Sequence, residues 1–144
     1  MKAMVLNRLC NLKEERQPLV LQDMPQPRPA ANEILVKVSA CGVCHTELDE
    51  IEGRTPPPQL PVILGHQVVG RVVGNGKQTQ RYHAGDRIGV AWIHSACGQC
   101  TFCRAGLENL CDEFRATGRD AQGGYAQYMT VPEGFAYEIP AVFS

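Results

Sequence analysis

"EILVKVSAC", Glu33 to Cys41, alternates apolar and polar side chains directly after the breaker-rich "QPRPAAN". A period of two places successive side chains on opposite faces, which marks a half-buried strand rather than a helix. The same signature recurs on both sides of it. "MKAMVL" opens the chain and "PLVLQDM" follows a charged turn; "QVVGRVVG", "DRIGVAWI", "YAQYMTVP" and "AYEIP" come later. Fourteen glycines and ten prolines suit many tight turns between such runs. Two stretches read as helix, and both are short. One is Thr46 to Ile51, with Thr46 as N-cap and Glu47 and Asp49 in the first turn. The other is near Ala105 to Cys111. Many strands without long helical crossovers predict a mainly β fold, an antiparallel barrel or sandwich. "TPPPQLP", Thr55 to Pro61, is expected to be an extended, stiff connector. Gly74-Asn75-Gly76 lacks the third glycine and the following helix of a dinucleotide fingerprint, so "GNGKQTQ" reads as a hairpin turn.

Composition narrows the partners. With 144 residues, 44% hydrophobic and 20% charged, the chain has the make-up of one soluble globular domain. A formal charge of −1 gives no footprint for nucleic acid or an anionic membrane. No apolar run approaches the roughly 18 residues of a membrane span, and "MKAMVLNRLCNLKEERQ" lacks a signal-peptide pattern. A cytoplasmic location is expected. Seven cysteines in a reducing compartment point to metal or catalysis rather than to disulfides, and the odd count fits that reading.

Four of the seven are clustered. Cys97, Cys100, Cys103 and Cys111 read C-x2-C-x2-C-x7-C inside "HSACGQCTFCRAGLENLC". Four thiolates at such spacing wrap one tetrahedral ion with Zn–S bonds of about 2.3 Å. Gly98 and Gly106 give the loop backbone freedom. A ferredoxin-type cluster run begins in the same way but closes with x3-C-P, whereas here x7 intervenes and Asp112 follows. A closed four-sulfur shell leaves no open position on the ion, so it is a structural zinc lobe, about residues 94–113. The chemistry has to be sought elsewhere. Cys44, just before the first predicted helix, and His66, between a glycine and an apolar strand, are the remaining candidates.

"GVCHTE", then "LGH", "GDRIGV", the four-cysteine loop and "GGYAQYMTVP" occur in the order seen in zinc-dependent alcohol dehydrogenases. The chain thus resembles the medium-chain dehydrogenase/reductase superfamily from Met1 to its last residue. The resemblance implies that residues 1–144 form a GroES-like, partly open β-barrel, the catalytic domain. It implies a separate Rossmann domain for NAD or NADP, absent from this chain. Carried onto these residues, it makes Cys44 and His66 ligands of a catalytic zinc. Thr46 would accept the alcohol proton, and Glu47 would hold the His66 imidazole in its metal-binding tautomer. His45 would lie near the cofactor pyrophosphate, and Trp92 would line a pocket for small alcohols. The partners implied are a small alcohol or aldehyde and further copies in a homo-oligomer.

Two departures stand out. The family usually has Glu directly after the zinc-binding His, where this chain has Gln67. Its third zinc ligand, a Cys, has no counterpart here: Cys10 and Cys41 do not match it, and Cys41 reads as core. The expectation is therefore a catalytic domain present as a fragment, inactive alone. The competing reading is a zinc-stapled binding module without catalysis.

Overall fold

The computed structural model describes residues 1–143. Ten strands and two short α-helices alternate with turns. β1 (Lys2–Leu6) pairs antiparallel with β2 (Leu19–Asp23) on one side and β4 (Val62–Ile63) on the other. A five-stranded antiparallel sheet runs β10 (Ala136–Glu138), β6 (Arg87–Val90), β5 (Val68–Asn75), β3 (Glu33–Cys41), β9 (Tyr128–Pro132). A third, two-stranded sheet joins β7 (Ile93–Ser95) to β8 (Arg115–Ala116). The helices are α1 (His45–Ile51) and α2 (Thr101–Arg104). The fold is mainly β, as the strand pattern predicts, and its sheet curls into a half-barrel, as the resemblance to GroES-like domains implies.

The curl has a local cause. β3 carries register shifts between Leu35 and Val36 and between Val38 and Ala40 in its pairing with β5. A bulge bends its strand and increases twist, which wraps the sheet around its inner face. Ile34, Leu35 and Val36 are all buried, so the period of two fails where the first shift falls. The inner face is filled by Ile34 and Val36 of β3, Val68 and Val72 of β5, Ile88 and Val90 of β6, and Met129 and Val131 of β9. Tyr82 joins this core with its hydroxyl satisfied, donating to the Ala136 carbonyl at 2.7 Å. A second cluster, Leu6, Ile51, Val62 and Leu64, ties α1 and β4 to β1.

Several local expectations need correction. α1 begins at His45, not Thr46, and its N-cap is Cys44, extended at φ −118°, ψ 162°. The second helical stretch divides into α2 and a 3-10 turn, Glu108–Leu110, separated by Gly106 at φ +71°. Residues 55–61 bend instead of running straight, with a cis peptide between Leu60 and Pro61. Gly76 is not a hairpin tip. β5 runs through Asn75 and its partner β6 starts only at Arg87. A Cβ on Gly76 would come within 2.0 Å of the Ala30 carbonyl, so close backbone approach requires the glycine there.

Candidate metal centres

The β7–β8 pair forms the neck of the cysteine lobe. Between Ser95 and Arg115 only Cys111 is buried; Phe102, Leu107 and Leu110 of the same loop are exposed. The lobe therefore has no apolar core of its own. The sulfurs of Cys97, Cys100, Cys103 and Cys111 all lie within 4.8 Å of one another, the one such ligand group among the described residues. Backbone N–H groups point at the sulfurs: Cys97 donates to Cys111 Sγ at 3.5 Å, Cys100 to Cys97 Sγ and Cys103 to Cys100 Sγ, each at 3.4 Å. Donors favour the thiolate, and those of Gln99 and Cys100 bring Cys97 down to about 7. Cys103 goes the other way, to about 12, because it is desolvated and because its neighbours are sulfurs too. Four crowded thiols cannot all ionise without a cation among them. The donor set, spacing and missing core all fit a tetrahedral zinc.

The second centre is assembled by register. Cys41, the last residue of β3, pairs with Val68, the first of β5. The Gly42 N–H continues the ladder to the Gln67 carbonyl at 2.8 Å. Residues just beyond β3 and just before β5 are thus side by side, which brings Cys44 toward His66. Glu47 ties both. Its Oε2 accepts from the Cys44 N–H at 2.7 Å, and its Oε1 lies 2.8 Å from His66 Nδ1. The two atoms meet as a close polar contact without hydrogen-bond geometry, and neither has a hydrogen bond to any other group. Glu47 is 2% and His66 5% exposed, so the contact is shielded from water. A carboxylate on Nδ1 fixes the tautomer and leaves Nε2 as the nitrogen with a free lone pair. Thr46 Oγ1 stands 3.5 Å from Cys44 Sγ.

The segment carrying His66 is held by backbone. Gly123, Gly124 and Tyr125 donate N–H groups to the carbonyls of Ile63, Gly65 and Leu64 at 2.6, 2.8 and 3.0 Å. Such an approach leaves no room for side chains. A Cβ on Gly123 would fall 2.4 Å from the Gly65 carbonyl, and one on Gly118 would fall 2.8 Å from the Gly65 nitrogen. Tyr125 closes the wall, its hydroxyl donating to the Gly42 carbonyl at 3.3 Å. Burial, then the nearby Glu47 charge, pushes its phenol well up from the ordinary tyrosine value.

The remaining predicted residues lie further out. Gln67 turns its amide toward Gly42, where a Cβ would meet Oε1 at 2.6 Å. His45 is mostly exposed, its Nδ1 3.6 Å from Asp49 Oδ1. Trp92, between β6 and β7, is 38% exposed. Its carbonyl accepts from the Thr117 N–H at 2.8 Å, and its ring centroid is 4.9 Å from that of Phe114. A cavity of about 400 Å³, floored by Met24, Ile63 and Met129, is lined by none of these candidates. Sequence reading missed Glu50, which is fully buried on α1 beside Glu47. The i, i+3 spacing of Glu47 and Glu50 was the available signal, but charged residues on a short helix read as solvated.

Residues 30–141 match the family described as Alcohol dehydrogenase GroES-like domain. The chain belongs to the zinc-type alcohol dehydrogenases of the medium-chain dehydrogenase/reductase superfamily, as their N-terminal GroES-like domain. It is 48% identical over 123 residues to "Probable alcohol dehydrogenase AdhA" of Mycobacterium tuberculosis, covering 82% of this chain and 36% of that one. An alcohol dehydrogenase of Geobacillus stearothermophilus is 40% identical over 141 residues, covering 97% and 40%. Among solved structures, the cobalt- and zinc-bound thermostable alcohol dehydrogenase of Pyrobaculum aerophilum superposes with a TM-score of 0.88. It is 28% identical, and the match covers 98% of this chain and 42% of that one. The chain therefore spans about two fifths of the length of these relatives. No helix among the described residues is long and apolar enough to cross a membrane.

Proposed function

We propose that residues 1–144 are the metal- and alcohol-binding domain of a dehydrogenase that oxidises a small primary alcohol to its aldehyde. NAD or NADP would take the hydride, held by a separate nucleotide-binding domain. The observation that carries this reading is the buried Glu47 carboxylate, which holds the Cys44 N–H and the His66 Nδ1 at once. A buried carboxylate that orients an imidazole beside a thiol is the outer shell of a metal centre, and simple packing would not need it. A zinc ion with one open position polarises an alcohol oxygen and makes its proton easier to lose. In this chain Cys44 and His66 Nε2 would hold such an ion, and Thr46 Oγ1 would receive that proton. His45, out in solvent, is the side chain offered to the cofactor phosphates. Trp92 narrows the alcohol pocket. Gln67, neutral and turned toward Gly42, is not a ligand. The competing reading, a stapled binding module, is favoured by the two-residue ligand set of the second centre.

Cobalt separates the two. The first equivalent of Co²⁺ should enter the cysteine lobe and be lost in Cys103→Ser. A second, weaker equivalent should appear at higher concentration and vanish in both Cys44→Ser and His66→Ala. With zinc at stoichiometric concentration the chain should retain one ion and show no hydride transfer alone. A second cobalt site untouched by either substitution would leave the binding-module reading standing.

A further inference from the structure

The cavity of about 400 Å³ is lined by no residue of either metal centre. It opens where the three sheets meet: Ile63 comes from β4, Met129 from β9, and His94 and Arg115 from β7 and β8. Its lining is mainly apolar, supplied by Met24, Pro25, Pro27, Ile63 and Met129. A mostly apolar cavity of this size with a few convergent polar groups is the ordinary form of a small-molecule site.

Two basic side chains, His94 and Arg115, interrupt that lining, and strand register puts them together. The β7–β8 ladder steps from the Ile93–Ala116 pair to the Ser95–Arg115 pair, so His94 is the bulged residue facing that step. A bulge re-aims its side chain out of the strand's alternation. His94 is only 7% exposed, and its one hydrogen-bond contact is Nδ1 to Ser95 Oγ at 3.4 Å. Its Nε2 has no partner among the described residues, and a ring nitrogen this deeply placed needs one. Burial lowers the imidazole below the ordinary histidine value, so it is neutral and has one N–H to donate.

Arg115 is the one cationic side chain in the lining. Its Nη2 donates to the Asp120 carbonyl, and it makes no ion pair. The Asp120 carboxylate is taken by Arg119 and by the Ala116 N–H. Glu33, the one acidic side chain in the lining, accepts from the Ala30 N–H at 3.0 Å and is not ion-paired with Arg115. The guanidinium beside His94 therefore lacks an anion, and the fork of a guanidinium matches a carboxylate.

We propose that this cavity binds a small monocarboxylate with an apolar tail. The carboxylate lies at Arg115 and accepts from the His94 imidazole, while the tail rests on Met24, Ile63 and Met129. Neither metal centre contributes to the site, so it stands or falls apart from the dehydrogenase reading.

Hexanoate is the probe, added to the zinc-loaded chain while side-chain methyl groups are followed by NMR. Saturable shifts are expected at Met24, Ile63 and Met129. Hexylamine, a cation at neutral pH, has the same tail with the opposite charge and should bind at least about tenfold more weakly. Arg115→Gln should weaken hexanoate by about tenfold or more through loss of a charge-assisted contact. Zinc content and far-UV circular dichroism establish that the variant is folded; if it is not, the comparison of the two probes on the unaltered chain decides the matter. Hexanoate shifts that fail to saturate or fall elsewhere overturn the proposal. So does hexylamine binding as tightly, or an unchanged hexanoate affinity in folded Arg115→Gln.

Discussion

Two carboxyls one helical turn apart meet opposite fates, and the difference is donors. Glu47 has the Cys44 N–H and His66 Nδ1 within 2.8 Å, while Glu50 has none. Charge-assisted contacts of this kind offset burial; an unpartnered carboxyl instead keeps its proton. The stability consequence follows from Glu50's rise to about 7 from an ordinary value of 4.5. Between those values the folded chain holds a proton that the unfolded chain has released. Stability contributed by this group is fully present below about pH 4.5 and is lost as pH rises through 7. Glu50→Gln removes the proton from the balance. It should leave stability unchanged near pH 4.5 and raise it by on the order of 2 kcal/mol at pH 8. That figure is about 1.4 kcal/mol for each pH unit separating the folded and unfolded values, reduced because a carboxylate that forms inside relaxes its surroundings. Urea midpoints at the two pH values test this; an equal effect at both would show that the side chain acts through packing and not through its proton.

At the scale of elements, the His66 segment depends on what its neighbours lack. Gly123 sits against the Leu64 and Gly65 carbonyls, and an added methyl would meet backbone, which cannot rotate away. Gly123→Ala should therefore cost about 1–3 kcal/mol and move His66 from Glu47. Gly134, with nothing within 4 Å of its would-be Cβ, is the matched control and should be near neutral. Thermal melts, with the His66 ring shift by NMR, distinguish a displaced site from a merely softened fold. These contacts also mark where sequence reading ran out. The long strands were legible because β3 and β5 carry enough residues to show a period. β4 and β8, two residues each, carry no period, and backbone pairing alone creates them. The start of α1 was misplaced because Thr46 is the better intrinsic cap. Glu47 decides the matter by reaching back to the Cys44 N–H, a contact that also builds the site. Cys44 and His66 were legible as residue types, but only the Cys41–Val68 register explains why both reach Glu47.

For the whole molecule, the barrel and the cysteine lobe are stabilised by different means. The barrel has buried clusters spanning β1, β3, β5, β6 and β9. The lobe has one buried residue, Cys111, and a neck of two short strands. Zinc in four-thiolate shells contributes on the order of 10 kcal/mol of apparent binding free energy, which here would substitute for a core. Removing it should then melt one part and spare the other. On chelation at neutral pH, amide exchange over residues 96–114 should approach that of an unfolded chain. The β3 and β5 amides should keep their protection, because none of their packing involves the lobe. Trp92 is the joint between the two parts: its carbonyl is held by Thr117 of the barrel-side turn, and its ring rests on Phe114 of the loop. Its emission should therefore shift with lobe melting even though the strands persist. Global loss of protection on chelation would mean that the barrel leans on the lobe. Unchanged exchange over 96–114 would mean that the loop holds its shape without metal, and the four cysteines would need another purpose.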